Sequence, residues 1–308
     1  MTAILLGTYN GSKYLRELLD SLFAQTNQEF KLVVHDDGST DKTCEILAEY
    51  AADHKGRVEI LWGPPTGSPQ ANFMWMLSQV NADYYLYCDQ DDVWMENKLE
   101  LTLSALQELE GDGIPALVFS DMDVVDERLN LINSSFIRSL GRDVRNTAYT
   151  QVLIDNPAAG CTEIFNRALR DIVVQCPDVD SLPMHDVWTL LMADIFGRVK
   201  GLDVSLVRYR QTGHNIKGAS EETDKDKVSR NAKDLKNGSF IEKKKAFIKE
   251  ARDLAELVLL VDKLPAKVRT LLKEFVNIDK KNKFERIVFY KKNKFERARR
   301  TWWMYLWL

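Results

Sequence analysis

The sequence lacks three features that would assign it to a special class of protein. None of its 308 residues fall in an apolar run of eighteen or more, so a membrane-spanning helix is not predicted. Residues 1–7 show neither a basic leader nor a small-residue cleavage site, so we expect no secretory signal and a cytoplasmic protein. The four cysteines form no Cys-x-x-Cys pair, which argues against a structural zinc site and a disulfide framework and fits a reducing compartment.

Positive charge is scarce except near the carboxyl end. The net charge is −4, but residues 280–300 carry ten Lys or Arg against two Glu, a local charge of +8 that leaves −12 for the rest. A basic tail on an acidic body predicts an anionic partner for the tail. No recognised nucleic-acid-binding module accompanies this charge, so we expect no nucleic-acid partner.

Short apolar runs alternate with helical patterns through the first 120 residues. Such alternation predicts an α/β fold with a doubly wound, mainly parallel sheet and helices on both faces. The predicted strands are residues 3–7, 30–35, 58–62, 84–88 and 116–119, and the predicted helices lie near 12–25, 41–52, 69–80 and 96–109.

Residues 121–220 are less regular and are expected to extend the sheet and to form the opposite wall of a cleft. We therefore predict one domain over residues 1–220, with residues 1–120 as the nucleotide-binding half and 121–220 as the half across the cleft from it. From residue 221 a charged stretch introduces a helical extension over 221–308. Within these parts we expect strands at 160–165, 199–201 and 205–208, and helices near 147–154, 166–174, 186–195, 240–262 and 266–278.

The tail contains an internal repeat, in which the sequence of residues 280–286 recurs at 291–297. An offset of eleven residues is about three helical turns, so a continuous helix would present both copies on one face. The interpretation is a basic amphipathic helix over 280–308 that binds an anionic membrane surface. The alternative is a helix packed on the protein's own core or on a second subunit. The predicted apolar stripe is Phe284, Val288, Phe295, Ala298, Trp302 and Leu306.

Polar or Gly-rich loops follow the predicted strands. In α/β sheets, ligands bind outside the carboxyl ends of the strands, so the edge that these loops share is the candidate site. The loops are residues 8–12, 36–41, 63–68, 89–92 and 120–121.

Three carboxylates, Asp89, Asp91 and Asp92, directly follow the apolar run 84–88. Negative charge clustered at the end of a buried strand is costly unless a cation, a basic group or water compensates it. Mg²⁺ or Mn²⁺ held by one or two carboxylates keeps positions open for phosphate oxygens, which suits a diphosphate ligand. The alternative is that Asp89 or Asp92 caps the helix that begins near Glu96.

Taken in order, six segments resemble a known family. The first three are similar to the amino-terminal signature of family 2 glycosyltransferases of the GT-A fold, and the others resemble its bacterial rhamnosyltransferase-like branch. The resemblance covers roughly residues 3–216. The segments are 8–11, 36–41, 89–94, 156–162, 185–188 and 209–215.

The resemblance implies an inverting, metal-dependent glycosyltransferase and gives roles to single residues. Asp37 would contact the base, Asp89 the ribose and Asp91 a Mn²⁺ or Mg²⁺ ion, while Asp186 would be the catalytic base. His214 would lie by the diphosphate and metal, although Thr212-Gly213 intervene where related sequences carry the His directly after Arg-Gln. The nucleotide-sugar pocket would consist of Thr8, Tyr9, Asn10, Asp37, Asp89, Gln90 and Asp91.

Three further residues are candidates for contact with the acceptor or the sugar. His185 either orients Asp186 or packs in the core. Trp94 and Trp188 are candidates for stacking on a sugar ring, with core packing as the alternative.

The rhamnosyltransferase-like branch implies dTDP-rhamnose as donor and a lipid-linked saccharide as acceptor, in bacterial surface polysaccharide synthesis at the inner face of the membrane. Another nucleotide sugar, such as a UDP-sugar, is the alternative donor. Two other classes are alternatives: a nucleotidyltransferase, against which the short loop 8–13 argues, and a non-catalytic, membrane-recruited protein that binds nucleotide sugars. Homo-oligomerisation stays open.

Overall fold

A nine-stranded mixed sheet forms the centre of the described molecule. The computed structural model describes residues 1–212 and 239–296, and the strand order is β3-β2-β1-β4-β8-β6-β9-β5, with β7 paired to β6. The strands are β1 Thr2–Thr8, β2 Phe30–Asp36, β3 Val58–Ile60, β4 Tyr84–Asp89, β5 Val93–Trp94, β6 Ala116–Val125, β7 Leu131–Asn133, β8 Glu163–Asn166 and β9 Arg198–Arg210.

Helices cover both faces of this sheet. The helix α1 shows why: Leu15, Leu18, Leu19 and Leu22 recur at helical spacing and are fully buried against the sheet. The helices are α1 Leu15–Phe23, α2 Thr43–Asp53, α3 Pro69–Gln79, α4 Lys98–Leu109, α5 Phe136–Ser139, α6 Tyr149–Val152, α7 Arg167–Val173, α8 His185–Phe196, α9 Ser239–Leu259, α10 Ala266–Val276 and α11 Lys283–Lys292.

The predicted α/β fold class is confirmed. Strands β1 to β4 run parallel, as predicted, whereas β8, β7 and β5 pair antiparallel with their neighbours, so the sheet is mixed. The two strands predicted at 199–201 and 205–208 are one strand, β9. Its register against β6 shifts near Ser120 and Asp121, which explains why its sequence pattern is broken there.

Helices α9 and α10 follow the helices predicted near 240–262 and 266–278 closely. Their apolar side chains, such as Ala255, Leu272 and Phe275, join the same buried cluster as Leu191 and Met192 of α8. The predicted boundary at residue 220 and the charged stretch after it lie outside the described residues.

The prediction of one continuous helix from residue 280 is wrong over the described part of the tail. Helix α11 begins at a capping box between Asn282 and Glu285 and ends at Lys292. Lys294 has a φ of 56°, and the N–H of Phe295 donates to the carbonyl of Tyr290, a helix-ending geometry. Phe295 is therefore buried, while the other repeat copy's Phe284 is 75% exposed. Residues 297–308 lie outside the described part.

Within residues 1–212 and 239–296, we find no helix that combines the length and the apolar character needed to cross a bilayer.

Candidate active site

A cavity of about 530 Å³ opens where β1 and β4 end, at the predicted edge of the sheet. The first turn of α8 and the segment 156–161 form other parts of its wall. Of the residues predicted for the site, this cavity is lined by Thr8, Tyr9, Asp37, Asp89, Gln90, Asp91, His185 and Asp186.

Gln90 fixes the loop that follows β1. Its Oε1 accepts a hydrogen bond from the N–H of Tyr9 at 2.9 Å, and its Nε2 donates to the Tyr9 carbonyl at 2.9 Å. A Cβ on Gly11 would lie 2.1 Å from the same Oε1, so a larger residue at this position would displace the Gln90 amide from its hydrogen bonds. The amide of Gln90 thereby holds Tyr9 at the cavity wall.

Asn10 is not part of the cavity wall in the structure, in contrast to its predicted place in the pocket. Its φ is 48°, a conformation that Asn tolerates better than most residues. Its Oδ1 accepts a hydrogen bond from the N–H of Thr40 at 2.8 Å, and its own N–H donates to Ser39 Oγ at 2.8 Å. Asn10 therefore joins the loop after β1 to the loop after β2.

Asp37 holds the loop between β3 and α3. Its carboxylate accepts hydrogen bonds from the N–H and hydroxyl of Thr66 and from the N–H of Gly67 at 3.0 Å. Asp37 thus lines the cavity with its oxygens already engaged by the backbone of the adjacent loop. A nucleotide base would meet a wall that this carboxylate organises.

Asp36 anchors the neighbouring turn, a role that the sequence did not reveal. Its carboxylate accepts hydrogen bonds from the Thr8 hydroxyl at 2.8 Å and from the Ser39 N–H at 2.8 Å and hydroxyl at 2.6 Å. Burial opposes ionisation of Asp36, but the hydrogen bonds from Ser39 and Thr8 prevail and lower its pKa. The Thr8 hydroxyl is therefore directed at Asp36.

The three carboxylates after β4 are held close together in a poorly solvated place. Burial, followed by the charges of Asp91 and Asp186, raises the pKa of Asp89 to about 7. Burial also raises the pKa of Asp91 and, with the charges of Asp91 and Asp89, raises that of Asp92 well above its ordinary value. These shifts are the signature of negative charge without sufficient compensation.

Asp92 is fully buried, and the helix-cap alternative is wrong for it and for Asp89. Helix α4 begins at Lys98 with Asn97 as N-cap, well beyond both carboxylates. One Asp92 oxygen accepts a hydrogen bond from the N–H of Arg210 at 3.2 Å, and the other has no hydrogen-bond partner in residues 1–212 and 239–296. A carboxylate oxygen of Asp89, one of Asp92 and Sγ of Cys161 lie within 4.8 Å of one another.

Trp94 is a core residue, so its predicted contact with sugar is corrected. It is buried, and Nζ of Lys98 lies 3.1 Å from the centroid of its ring. Lys98 is fully buried, and burial lowers its pKa to about 7 although Asp92 and Asp89 lie near enough to favour its charge. Trp94 therefore covers a buried amine beneath the carboxylates.

Asp186 lies in the first turn of α8 and lines the cavity. Its Oδ1 accepts a hydrogen bond from the N–H of Val187 at 2.6 Å, and the helix amino terminus favours its negative charge. Asp186 and Asp89 line the same cavity, and the charge of Asp186 adds to the raised pKa of Asp89.

His185 and Trp188, on either side of Asp186 in the sequence, lie in different environments. The His185 ring contacts Phe73 and Tyr87, with centroid separations of 4.3 and 4.5 Å, and also lines the cavity. Trp188 is fully buried and donates its indole N–H to the carbonyl of Val173 at 3.1 Å. The predicted sugar contact of Trp188 is therefore corrected to a core contact.

Arg210 is a buried residue whose role sequence analysis missed. Its Nε donates to the carbonyl of Asp91 at 2.9 Å, and its other nitrogens donate to the carbonyl of Glu127 and the carboxylate of Glu17. It thereby joins the end of β9 to the turn that carries Asp91. The position of Arg210 inside segment 209–215, which resembles the family, was the sequence signal that could have indicated this role. His214, the predicted second metal contact, lies outside the described residues.

Comparison with known proteins agrees with this geometry. Residues 3–154 match the family model for Glycosyl transferase family 2. The dTDP-rhamnosyl transferase RfbG of Shigella flexneri is 24% identical over 229 residues, which cover 70% of this chain and 74% of the relative. Three further bacterial relatives match over shorter stretches, and the chain spans 38%, 23% and 47% of their lengths.

Two solved structures share the fold. S. aureus TarS in complex with UDP-GlcNAc has a TM-score of 0.56 and 21% identity, covering 90% of this chain and 71% of that one. The mannosyltransferase PcManGT from Pyrobaculum calidifontis, in complex with GDP-Man and Mn²⁺, has a TM-score of 0.53 and 14% identity, covering 95% and 72%. Residues 3–154 are therefore a domain of glycosyl transferase family 2, in a chain that has the GT-A fold.

Proposed function

We propose that the protein transfers a sugar from a nucleotide-sugar donor to a hydroxyl group with inversion at the anomeric carbon. The observation that carries this proposal is the single cavity lined by Asp89 and Asp91 at the end of β4 and by Asp186 at the start of α8. Two carboxylates suit a cation and a ribose, and the third suits a general base.

The carboxylates fit a divalent cation. Burial raises the pKa of both Asp89 and Asp91, and the charges of Asp91 and Asp186 add to the shift at Asp89; a bound cation would relieve these effects. Asp91, with Asp89 beside it, would hold Mn²⁺ or Mg²⁺, which prefer oxygen ligands. Burial and the neighbouring carboxylates raise the pKa of the Cys161 thiol well above its ordinary value, so we leave it out of the ligand set. When bound, the cation would stabilise the negative charge of the departing diphosphate.

Asp186 is the proposed general base. The acceptor oxygen attacks the anomeric carbon while the bond from that carbon to the diphosphate oxygen breaks, and Asp186 takes the hydroxyl proton. One base is sufficient for this inverting displacement, whereas a retaining hydrolysis would need a second carboxyl as nucleophile.

For the donor we propose dTDP-rhamnose, supported by the similarity to RfbG and by the segments 156–162, 185–188 and 209–215. The alternative is a UDP-sugar, supported by the fold shared with TarS, whose structure contains UDP-GlcNAc. Measuring nucleoside diphosphate release from dTDP-rhamnose and from UDP-sugars, with Mn²⁺ or Mg²⁺, decides between them.

For the acceptor we propose a lipid-linked saccharide of a bacterial surface polysaccharide, reached at the cytoplasmic face of the membrane. Phe284 and Val288 support this, because they are 75% and 46% exposed on α11 beside Lys283 and Lys291. Exposed apolar side chains flanked by cations suit an anionic lipid surface.

Point variants test this attachment better than removal of the tail, because Phe289, Tyr290 and Phe295 belong to the core. Phe284→Asp/Val288→Asp should lose flotation with phosphatidylserine vesicles. Leu260→Asp, at a similarly exposed position of the extension, is the control. Unchanged flotation of the double variant would remove the support for membrane binding.

The activity itself is tested with Asp186→Asn. We expect this variant to keep donor binding and to lose transfer, since the amide cannot accept the hydroxyl proton. Asp180→Asn, at an exposed carboxylate six residues earlier, should transfer normally. Normal turnover by Asp186→Asn would refute the base. Donor binding without any transfer by the wild type would favour a non-catalytic binding protein, and pyrophosphate release would favour a nucleotidyltransferase.

A further inference from the structure

We propose that Arg142 binds phosphate oxygens of a substrate inside the cavity. The inference rests on the proposed function and adds to it a residue that neither the family resemblance nor the carboxylate cluster identifies. Arg142 follows the short helix α5, in the half of the domain opposite the loops after β1 and β4. Its side chain reaches the wall of the same cavity.

The charge around the cavity is the first argument. Four aspartates contribute to its wall, namely Asp37, Asp89, Asp91 and Asp186. Among the lining residues in the described part of the chain, Arg142 is the one Lys or Arg. A substrate with phosphate groups entering so acidic a cavity needs positive charge on the wall. A metal near Asp91 would supply it on one side, and Arg142, whose charge Asp155 offsets only in part, would supply it on the other.

The second argument is that the Arg142 side chain is held in place. Its Nε donates to Oδ1 of Asp155 at 2.9 Å, and an Nη contacts the same oxygen at 2.8 Å. The side chains are 20% and 9% exposed, so this pair is far better shielded than the neighbouring pair of Arg145 and Asp143. The N–H of Arg142 also donates to the carbonyl of Ile137 at 2.9 Å. The guanidinium is therefore oriented before a ligand arrives.

The third argument is that the Arg142 guanidinium has hydrogen-bond donors that Asp155 does not use. Asp155 occupies the Nε and one Nη, and in residues 1–212 and 239–296 the other Nη makes no hydrogen bond. A planar guanidinium with donors facing a cavity matches phosphate oxygens in geometry as well as in charge. A neutral sugar hydroxyl would not require a cation.

The phosphate has two sources in a transferase of this kind. One is the diphosphate of the donor, and the other is a phosphate carried by the acceptor. Both present the same oxygens to Arg142, so binding assays must separate them by competition.

The test compares wild type with Arg142→Gln and Arg142→Lys by calorimetric titration. The probes are UDP, dTDP and GDP with Mg²⁺, and inorganic phosphate with and without saturating nucleotide. If the donor diphosphate is the ligand, Arg142→Gln should bind the nucleoside diphosphate at least about tenfold more weakly, and nucleotide should displace phosphate from the wild type. If an acceptor phosphate is the ligand, inorganic phosphate should still bind the nucleotide-saturated wild type but not the variant.

Controls keep a folding defect apart from a binding defect. Arg145→Gln removes an exposed Arg three residues away and should bind all probes as the wild type does. Arg142→Gln/Asp155→Asn removes both charges of the pair, so it should fold while still failing to bind. Arg142→Lys keeps the charge without the planar donors and should bind more weakly than wild type but better than Arg142→Gln.

The proposal is overturned if Arg142→Gln/Asp155→Asn binds nucleoside diphosphate and phosphate as tightly as wild type. It is also overturned if the wild type binds no probe phosphate at all. Failure of the transferase proposal would look different. The protein would then bind phosphate through Arg142 but would transfer no sugar.

Discussion

Replacing Arg210 should show how strongly the turn that carries Asp91, the proposed metal ligand, depends on a buried residue from the end of β9. Arg210→Met removes the guanidinium and keeps an unbranched side chain of similar length. The change leaves the carbonyls of Asp91 and Glu127 without their charged donor. It also removes the ion pair with Glu17, whose N–O distance is 2.6 Å.

The size of the effect follows from these partners. A hydrogen bond from a charged donor contributes about 1.5–3 kcal/mol, and two carbonyls are affected. Glu17 is half exposed, so its share is about 0–1 kcal/mol. These contributions sum to about 3–7 kcal/mol, so we expect Arg210→Met to lower the free energy of unfolding by an amount in that range. Arg210→Lys keeps the charge but reaches fewer acceptors, so its loss should be smaller.

Urea denaturation followed by tryptophan fluorescence measures this loss. Arg208→Met, at an exposed position two residues earlier on β9, is the control and should change stability little. Since Arg210 donates to the backbone of Asp91, Arg210→Lys should also raise the Mg²⁺ concentration needed for half-maximal nucleotide binding more than it raises the nucleotide Kd. The reasoning is refuted if Arg210→Met and Arg208→Met are equally stable, or if the Mg²⁺ requirement is unchanged.

Three other predictions concern the cavity wall. Gly160→Ala places a Cβ 2.5 Å from Nε2 of His185, so it should lower the free energy of unfolding in urea by about 1–3 kcal/mol. Because the clash is with His185, the double variant Gly160→Ala/His185→Ala should lose less than the sum of the two single losses. The metal-free protein should lose stability as the pH rises from about 4 to 7, because folded Asp89 keeps its proton up to about pH 7, whereas the same carboxyl in the unfolded chain releases it near its ordinary pKa of 3.8. Thermal melts of Asp89→Asn should therefore show a flatter pH profile. Gln90→Glu cannot donate to the Tyr9 carbonyl, so calorimetry should show several-fold weaker nucleotide binding, and unchanged affinity would contradict this role.

The sequence predicts the central elements well because their signals are local. Strands β1, β2 and β4 are continuous apolar runs, and α1 and α3 have clear helical spacing, with Ser68 and Pro69 marking the start of α3. The continuous tail helix fails for a tertiary reason. The eleven-residue repeat puts Phe284 and Phe295 on one face only if the helix continues, and burial of Phe295 on Phe275 ends it instead.

In the candidate site too, residues with a local sequence signal could be predicted, and residues placed by tertiary structure could not. Strand ends locate Thr8, Asp37 and Asp89 at one edge, and the structure brings them to one cavity. The direction of an aromatic side chain is not a local property, so Trp94 and Trp188 could not be separated from surface aromatics by their positions beside the motifs. Arg142 lies in an irregular segment, where no periodic signal exists to place it.

The cations of the protein balance only part of the negative charge that Asp89, Asp91 and Asp92 place after β4. Arg210 faces the backbone of Asp91 and the carboxylate of Glu17, so only part of its charge acts on the aspartates. Lys98 lies under the Trp94 ring, and burial lowers its pKa to about 7, so it is a weak counter-charge near neutral pH. The remaining negative potential therefore faces the cavity, which gives a bound divalent cation its electrostatic stabilisation. With the proposed cation at Asp91 and the proposed contact from Arg142, the wall would offer positive charge on two sides to a diphosphate that would otherwise be repelled.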